Sequence, residues 1–161
     1  MPRFTPSRRA GSRLRAWVAV VAWALLISTF STGWFSGEQT GNLLLPILRA
    51  LLPWAQPEHL DAIHAVIRKA AHVVEYLVLG ILLVRALREE GLASLPLALV
   101  AILLGSGWAA LDEFHQEFVP SRTASPRDVA VDTSGVCAGV ALALARRRHV
   151  LAPSASAATE N

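Results

Sequence analysis

Three short stretches carry most of the side chains that could do chemistry together. The first is Lys69-Ala-Ala-His72-Val-Val-Glu75-Tyr76. Steps of three and four place Lys69, His72, Glu75 and Tyr76 along one side of a helix. The second is Asp112-Glu113-Phe-His115-Gln116-Glu-Phe-Val-Pro120, followed by Arg122. The third is Ser125-Pro-Arg127-Asp128, with Asp132 one turn further on. Imidazole next to carboxylate is the pairing that general acid–base or nucleophilic chemistry needs, which makes His72, Glu75, Asp112, His115 and Asp132 candidate catalytic residues. Lys69 and Arg122 could hold an anionic group, while Tyr76, Glu113, Gln116 and Asp128 could take hydroxyls or amines.

Each feature also has a structural reading. Ser125-Pro126-Arg127-Asp128 is an N-cap signature, which by itself accounts for Ser125 and Asp128. The carboxylates and cations as a whole could be an ion-pair network that locks helices in register. His72 and His115 could be solvated interfacial histidines, and His59 and His64 read as solvated positions on an outer amphipathic helix. Two histidines and several carboxylates could surround a metal, but their spacing lacks a ligand signature, so neither a metal nor a cofactor is expected.

The elements that must position these residues follow from composition. Of 161 residues, 53% are hydrophobic and 17% charged, with a mean hydropathy of +0.44. Soluble domains carry roughly a quarter charged residues, so this chain has too little polar material to cover a water-soluble globule. A bilayer removes that difficulty. The pI near 10.0 comes almost wholly from arginine, and the arginines flank apolar runs instead of forming a stripe with aromatics, which argues against nucleic acid. Cys137 is the single cysteine, so no internal disulfide is possible.

Four apolar runs are near the ~20 residues that cross the hydrocarbon core: 16–34, 70–87, 92–111 and 129–145. The first could be a cleaved signal peptide, but no A-x-A site follows and Trp34 suits an interfacial anchor, which favours an uncleaved span. Arginines before the first run, Arg85 and Arg88, and Arg146 to Arg148 fall on one side of such a bundle. The positive-inside rule makes that side cytoplasmic, with both termini there. The three polar stretches then meet at the opposite face. An ionised residue at the bilayer centre costs ~3 kcal/mol and each aliphatic residue returns ~0.5. With about ten aliphatics in its span, Glu75 must lie near the outer interface and face the bundle.

The expected fold is therefore all-α, a polytopic membrane protein of four transmembrane helices with an outer interfacial helical segment between the first two. In that segment Leu43, Leu44, Ile47, Leu48 and Leu51 share a face, and Pro57-Glu58 opens a second surface helix. Residues 1–15 form a basic cytoplasmic N-terminus, 16–148 the membrane domain, and 149–161 a disordered cytoplasmic tail. Gly135-x-x-x-Gly139 lets a neighbouring helix approach closely.

The blocks 67–80, 112–122 and Ser125-x-x-Asp128-x-x-x-Asp132-x-x-Gly135-x-x-x-Gly139 strongly resemble the VanZ-like family of bacterial membrane proteins. Asp132 departs from the family, which more often has asparagine there. The resemblance implies a multi-pass cell-membrane protein of a family sometimes tied to envelope antibiotic tolerance, the family name coming from a member linked to teicoplanin resistance. It implies no reaction. Three functions follow. The first is a pocket that binds or protects a cell-envelope component, such as a lipid-linked cell-wall precursor, or takes a glycopeptide. The second is a membrane enzyme acting on a lipid-linked phosphate or ester at the outer leaflet. Ser121-Arg122, Asp128 and Asp132 mimic part of a lipid phosphatase signature, but histidine is missing where Asp128 stands. The third is a transporter or helper subunit. The lipid bilayer is the one partner that the residues themselves require, and the oligomeric state stays open.

Overall fold

The computed structural model describes residues 6–119 and 125–151, with side chains over 10–119 and 125–146. The helices are α1 (Pro6–Phe30), α2 (Gly37–Leu51), α3 (Pro57–Glu89), α4 (Ser94–Gln116) and α5 (Pro126–Leu151), with a 3-10 turn at Gly33–Phe35. No strand occurs among the described residues. Four segments are long and apolar enough to cross a membrane: Ala10–Phe30, Pro57–Glu89, Ser94–Gln116 and Pro126–Arg146. At 1.5 Å per residue, the 21 to 23 residues of three of them rise about 32–35 Å, a match to the ~30 Å hydrocarbon core. Their outward stripes, such as Val18, Val21 and Leu25 on α1 and Leu95, Leu99 and Leu103 on α4, stay exposed in the isolated chain. In water these stripes would oppose folding, whereas lipid solvates them.

The fourth segment, α3, differs from the sequence reading. Pro57 takes the first helical position, as expected, but the helix it opens does not stop before the second span. Neither proline nor glycine interrupts the chain until Gly80, and the Ala70-Ala71 pair favours continuation. One 33-residue helix results, about 50 Å long. Residues 57–69 therefore extend beyond a single bilayer crossing and carry α2 on their side. His64 is part of that contact. It is only 8% exposed, and its Nε2 lies 3.1 Å from the Thr40 hydroxyl, so the expectation of a solvated His64 is overturned. Burial of the ring against Gly41 is the reason. His59 is exposed. The apolar face of α2 (Leu43, Ile47, Leu51) points away from the bundle, and Trp34 and Trp54 are exposed nearby in sequence, as suits a helix lying at an interface.

Helix α3 is the hub, packing against α1, α2, α4 and α5, while α4 also packs on α5. The α3–α5 seam is a backbone-to-backbone contact. A Cβ on Gly139 would fall 2.0 Å from the Leu77 carbonyl oxygen, and one on Gly135 2.5 Å from that of Val73. From the other side, a Cβ on Gly80 would meet the Val136 carbonyl at 2.5 Å. The close approach that Gly135-x-x-x-Gly139 allows is thus used in full. Val136 and Val140, buried beside the seam, join Tyr76, Leu79, Leu83 and Ala109 in the core.

At one end, α3 turns into α4 through Gly91, whose φ of 81° is a left-handed conformation that glycine adopts without penalty. Here Ser12 Oγ donates to Glu89 at 2.7 Å, Arg13 pairs with Glu90, and the Trp17 indole N–H donates to Glu90 at 3.1 Å. Arg88 donates to the Ala143 carbonyl at 2.9 Å. Helix α5 continues to Leu151, so the start of the expected tail is helical. Residues 152–161 lie outside the described part of the chain.

Candidate polar site at the far end of the bundle

At the other end the ionisable residues turn inward. Helix α4 finishes at Gln116, before Pro120, and its last turns bury Asp112 (4% exposed), Glu113 (6%) and Gln116 (5%). A carboxylate at the C-terminal end of a helix opposes the dipole, so these acids need other partners. Ser31, buried just beyond α1, donates its hydroxyl to Asp112 Oδ2, and Gln116 Nε2 donates to the same oxygen at 3.2 Å. Glu113 accepts the Ser125 N–H, which ties the end of α4 to the start of α5. The Ser125 hydroxyl in turn accepts the Arg127 N–H at 3.2 Å, so the capping reading of Ser125 holds.

Helix α3 supplies the other wall. Lys69 forms an ion pair with Asp128 on α5. One turn deeper, His72 Nδ1 lies 3.6 Å from Asp132 Oδ1, with the Asp132 side chain 3% exposed. That separation is within ion-pair range but beyond a hydrogen bond. Deeper still, the Tyr76 side chain is fully enclosed, with Asp112, Asp132, Glu75 and Glu113 all within electrostatic reach. The Tyr76 hydroxyl and Asp112 Oδ1 are buried without a hydrogen-bond partner among the described residues. Glu75 is half-buried, and its main-chain carbonyl accepts the Trp23 indole N–H at 2.9 Å, so α1 is bound to the same level of α3.

Between these walls is a cavity of about 240 Å³, lined by Arg68, Lys69, His72, Glu113, Gln116, Asp128 and Asp132 together with Gly37, Ala65 and Val131. Six of the residues expected at a site therefore share one cavity. Asp112, Tyr76 and Glu75 sit behind it. His115 is not brought in: it is exposed, next to the outward Leu111, Phe114 and Phe118. Arg122 lies outside the described residues. Among the described residues no three of His, Cys, Asp and Glu gather closely enough to hold a metal ion.

A family model described as VanZ/LLP1 matches residues 15–147, most of the chain and every helix that lines the cavity. The chain belongs to the VanZ/LLP1 family. It is a VanZ-like, multi-pass membrane protein by that membership and by its four apolar helices. No curated protein and no solved structure matches it. Sequence reasoning missed three residues at this polar end. Ser31 is one of four hydroxyl residues near the end of the first apolar run, with Ser28, Thr29 and Thr32, and nothing in the sequence singles it out. Arg68 has no acidic neighbour in sequence to draw notice, although its four-residue step to His72 puts both on one helix side. Gly37 was unremarked, because its value lies in the side chain that crosses above it.

Proposed function

We propose that this VanZ-like protein binds the polar head group of a cell-envelope component in the cavity between α3, α4 and α5, at the non-cytoplasmic face. The observation that carries the reading is a cavity lined by charges of both signs at one end of a bundle that is otherwise apolar. Orientation follows the charge bias: Arg13, Arg15, Arg85, Arg88 and Arg146 lie towards the opposite end, the cytoplasmic one by the positive-inside rule. Volume helps to choose the ligand. Drug-sized ligands occupy pockets of ~300–1,000 Å³, so about 240 Å³ accommodates a head-group fragment and not a whole glycopeptide. A lipid-linked cell-wall precursor fits this pattern, its head group in the cavity and its chain in the bilayer. Protection against a glycopeptide would then act through the precursor, which such a chain would shield. The test is binding of a short-chain lipid-linked precursor to the detergent-purified protein. Asp132→Asn and His72→Gln should each weaken it about tenfold, and equal affinity for all three proteins would sink the proposal.

One observation favours a second reading as a membrane enzyme. His72 faces the buried Asp132 carboxylate at 3.6 Å, an arrangement that could orient an imidazole as general base towards a lipid-linked phosphate or ester. Turnover separates the two readings: released phosphate or acid on incubation with the same lipids, lost in His72→Gln, would make the protein an enzyme.

A further inference from the structure

The cavity's charges are unevenly satisfied. Asp128 is paired with Lys69, Asp132 faces His72, and Glu113 accepts the Ser125 N–H. Arg68 is different. It lines the same cavity and is half-buried, yet no carboxylate pairs with it among the described residues. An arginine held in a concave site without an anion keeps its five N–H donors for something else.

Gly37 explains how Arg68 comes to be held there. It is the first residue of α2 and lines the cavity as well. A Cβ at Gly37 would fall 2.5 Å from Arg68 Nη1 and 3.4 Å from Cζ. The guanidinium thus lies directly over the glycine, in space that any side chain would occupy. The positive end of the α2 dipole adds to the field at the same point. Lys69, one of the two cations that the sequence offered for an anion, is more exposed and paired with Asp128.

We propose that Arg68, seated over Gly37, is the anion-binding residue of the cavity, and that its ligand is a phosphate-type group. This rests on the reading of the cavity as a head-group site and names the part of the head group that Arg68 takes. The planar fork of arginine matches phosphate oxygens in pairs. The carboxylates opposite would repel a second anion, so the ligand bears one anionic group, with hydroxyl or amine groups towards Asp132.

The experiment measures binding of inorganic phosphate, dihexanoyl phosphatidic acid and uncharged dihexanoylglycerol to the full chain in a phosphate-free detergent. Wild type should bind the phosphatidic acid and not the uncharged lipid. Binding of inorganic phosphate as well would identify a free anion as sufficient, and its absence would identify a lipid head group; both support Arg68 as the reader. Arg68→Gln should lose at least tenfold in affinity and Arg68→Lys several-fold. Gly37→Ala should lose affinity while melting as wild type does, because alanine is a good helix former. Glu90→Gln, at the opposite end of the bundle, should stay within about threefold, and Lys69→Gln should lose less than Arg68→Gln. If Lys69→Gln takes the loss and Arg68→Gln does not, the assignment is overturned. It is also overturned if wild type binds neither phosphate compound. Precursor binding that depends on Asp132 but not on Arg68 would leave the head-group reading standing and remove this one, whereas precursor binding indifferent to both would remove the two together.

Discussion

The two ends of this bundle handle charge in opposite ways. At the α3–α4 turn, each acid has a partner at or near the surface: Glu90 pairs with Arg13 and accepts from Trp17, and Glu89 accepts from Ser12. At the far end three carboxylates of Asp112, Glu113 and Asp132 are almost wholly enclosed, and two buried polar atoms lack partners among the described residues. Stability alone accounts for the first arrangement. The second is costly for stability, because it gathers like charges out of water, and the proposed head-group site would give that cost a purpose. Such sites persist where function needs them.

The comparison breaks most severely if the seam that fixes both ends relative to each other is opened. Gly139→Val would place side-chain atoms where the Leu77 carbonyl already stands. Overpacking against backbone should cost more than ~3 kcal/mol, seen as loss of a cooperative melt in detergent. Gly139→Val melting normally would mean that the α3–α5 contact is not as close as described. Next in size is the polar end itself. His72→Gln and Asp132→Asn should each reduce precursor binding about tenfold, or ~1.4 kcal/mol, with little change in melting.

Asp112→Asn sharpens the contrast further. The amide keeps an acceptor for Ser31 and removes one charge from the group around Tyr76, so the variant should melt as high as wild type or higher. A drop of several kcal/mol would make the cluster a structural network, as expected when one partner of a buried pair is lost. The smallest effect belongs to the opposite end. Glu90→Gln breaks the partly exposed pair with Arg13, whose side chains are 26% and 50% exposed. It should cost under about 1 kcal/mol and leave binding untouched. A larger loss there, or any change in binding, would mean that the ends are coupled.

The spans were legible because each sums hydropathy over some twenty residues, which no single polar residue overrides. The start of α5 was legible for a local reason, the serine–proline pair at positions 125 and 126. Harder to read was where α3 begins to matter. Proline at 57 signals a helix start, but only the absence of a stop signal reveals that the helix then runs for 33 residues. At the end of α4, helical phase separates Asp112, Glu113 and Gln116 from His115. The outward stripe Leu111, Phe114 and Phe118 marks the lipid side, and in a membrane protein an apolar stripe can face either lipid or core, so sequence could not say which. Arg68 escaped for a different reason. Its distinction from Lys69 is a matter of which carboxylate each one reaches, and that depends on how α5 lies against α3.

The length of α3 works as a depth gauge. Its upper third carries α2, and the cavity opens where that third meets the segment of bilayer-crossing length. The cavity therefore sits at a height set by a rigid rod and not by loops. If the cavity is a head-group site as proposed, that height would fall at the layer of lipid phosphates in a membrane of matching thickness. Thinning the bilayer by one helical turn, about 5 Å, would strand the cavity in water above its ligands, and the chain would have to tilt to recover it. Membrane thickness thereby becomes a selector of where such a protein can work.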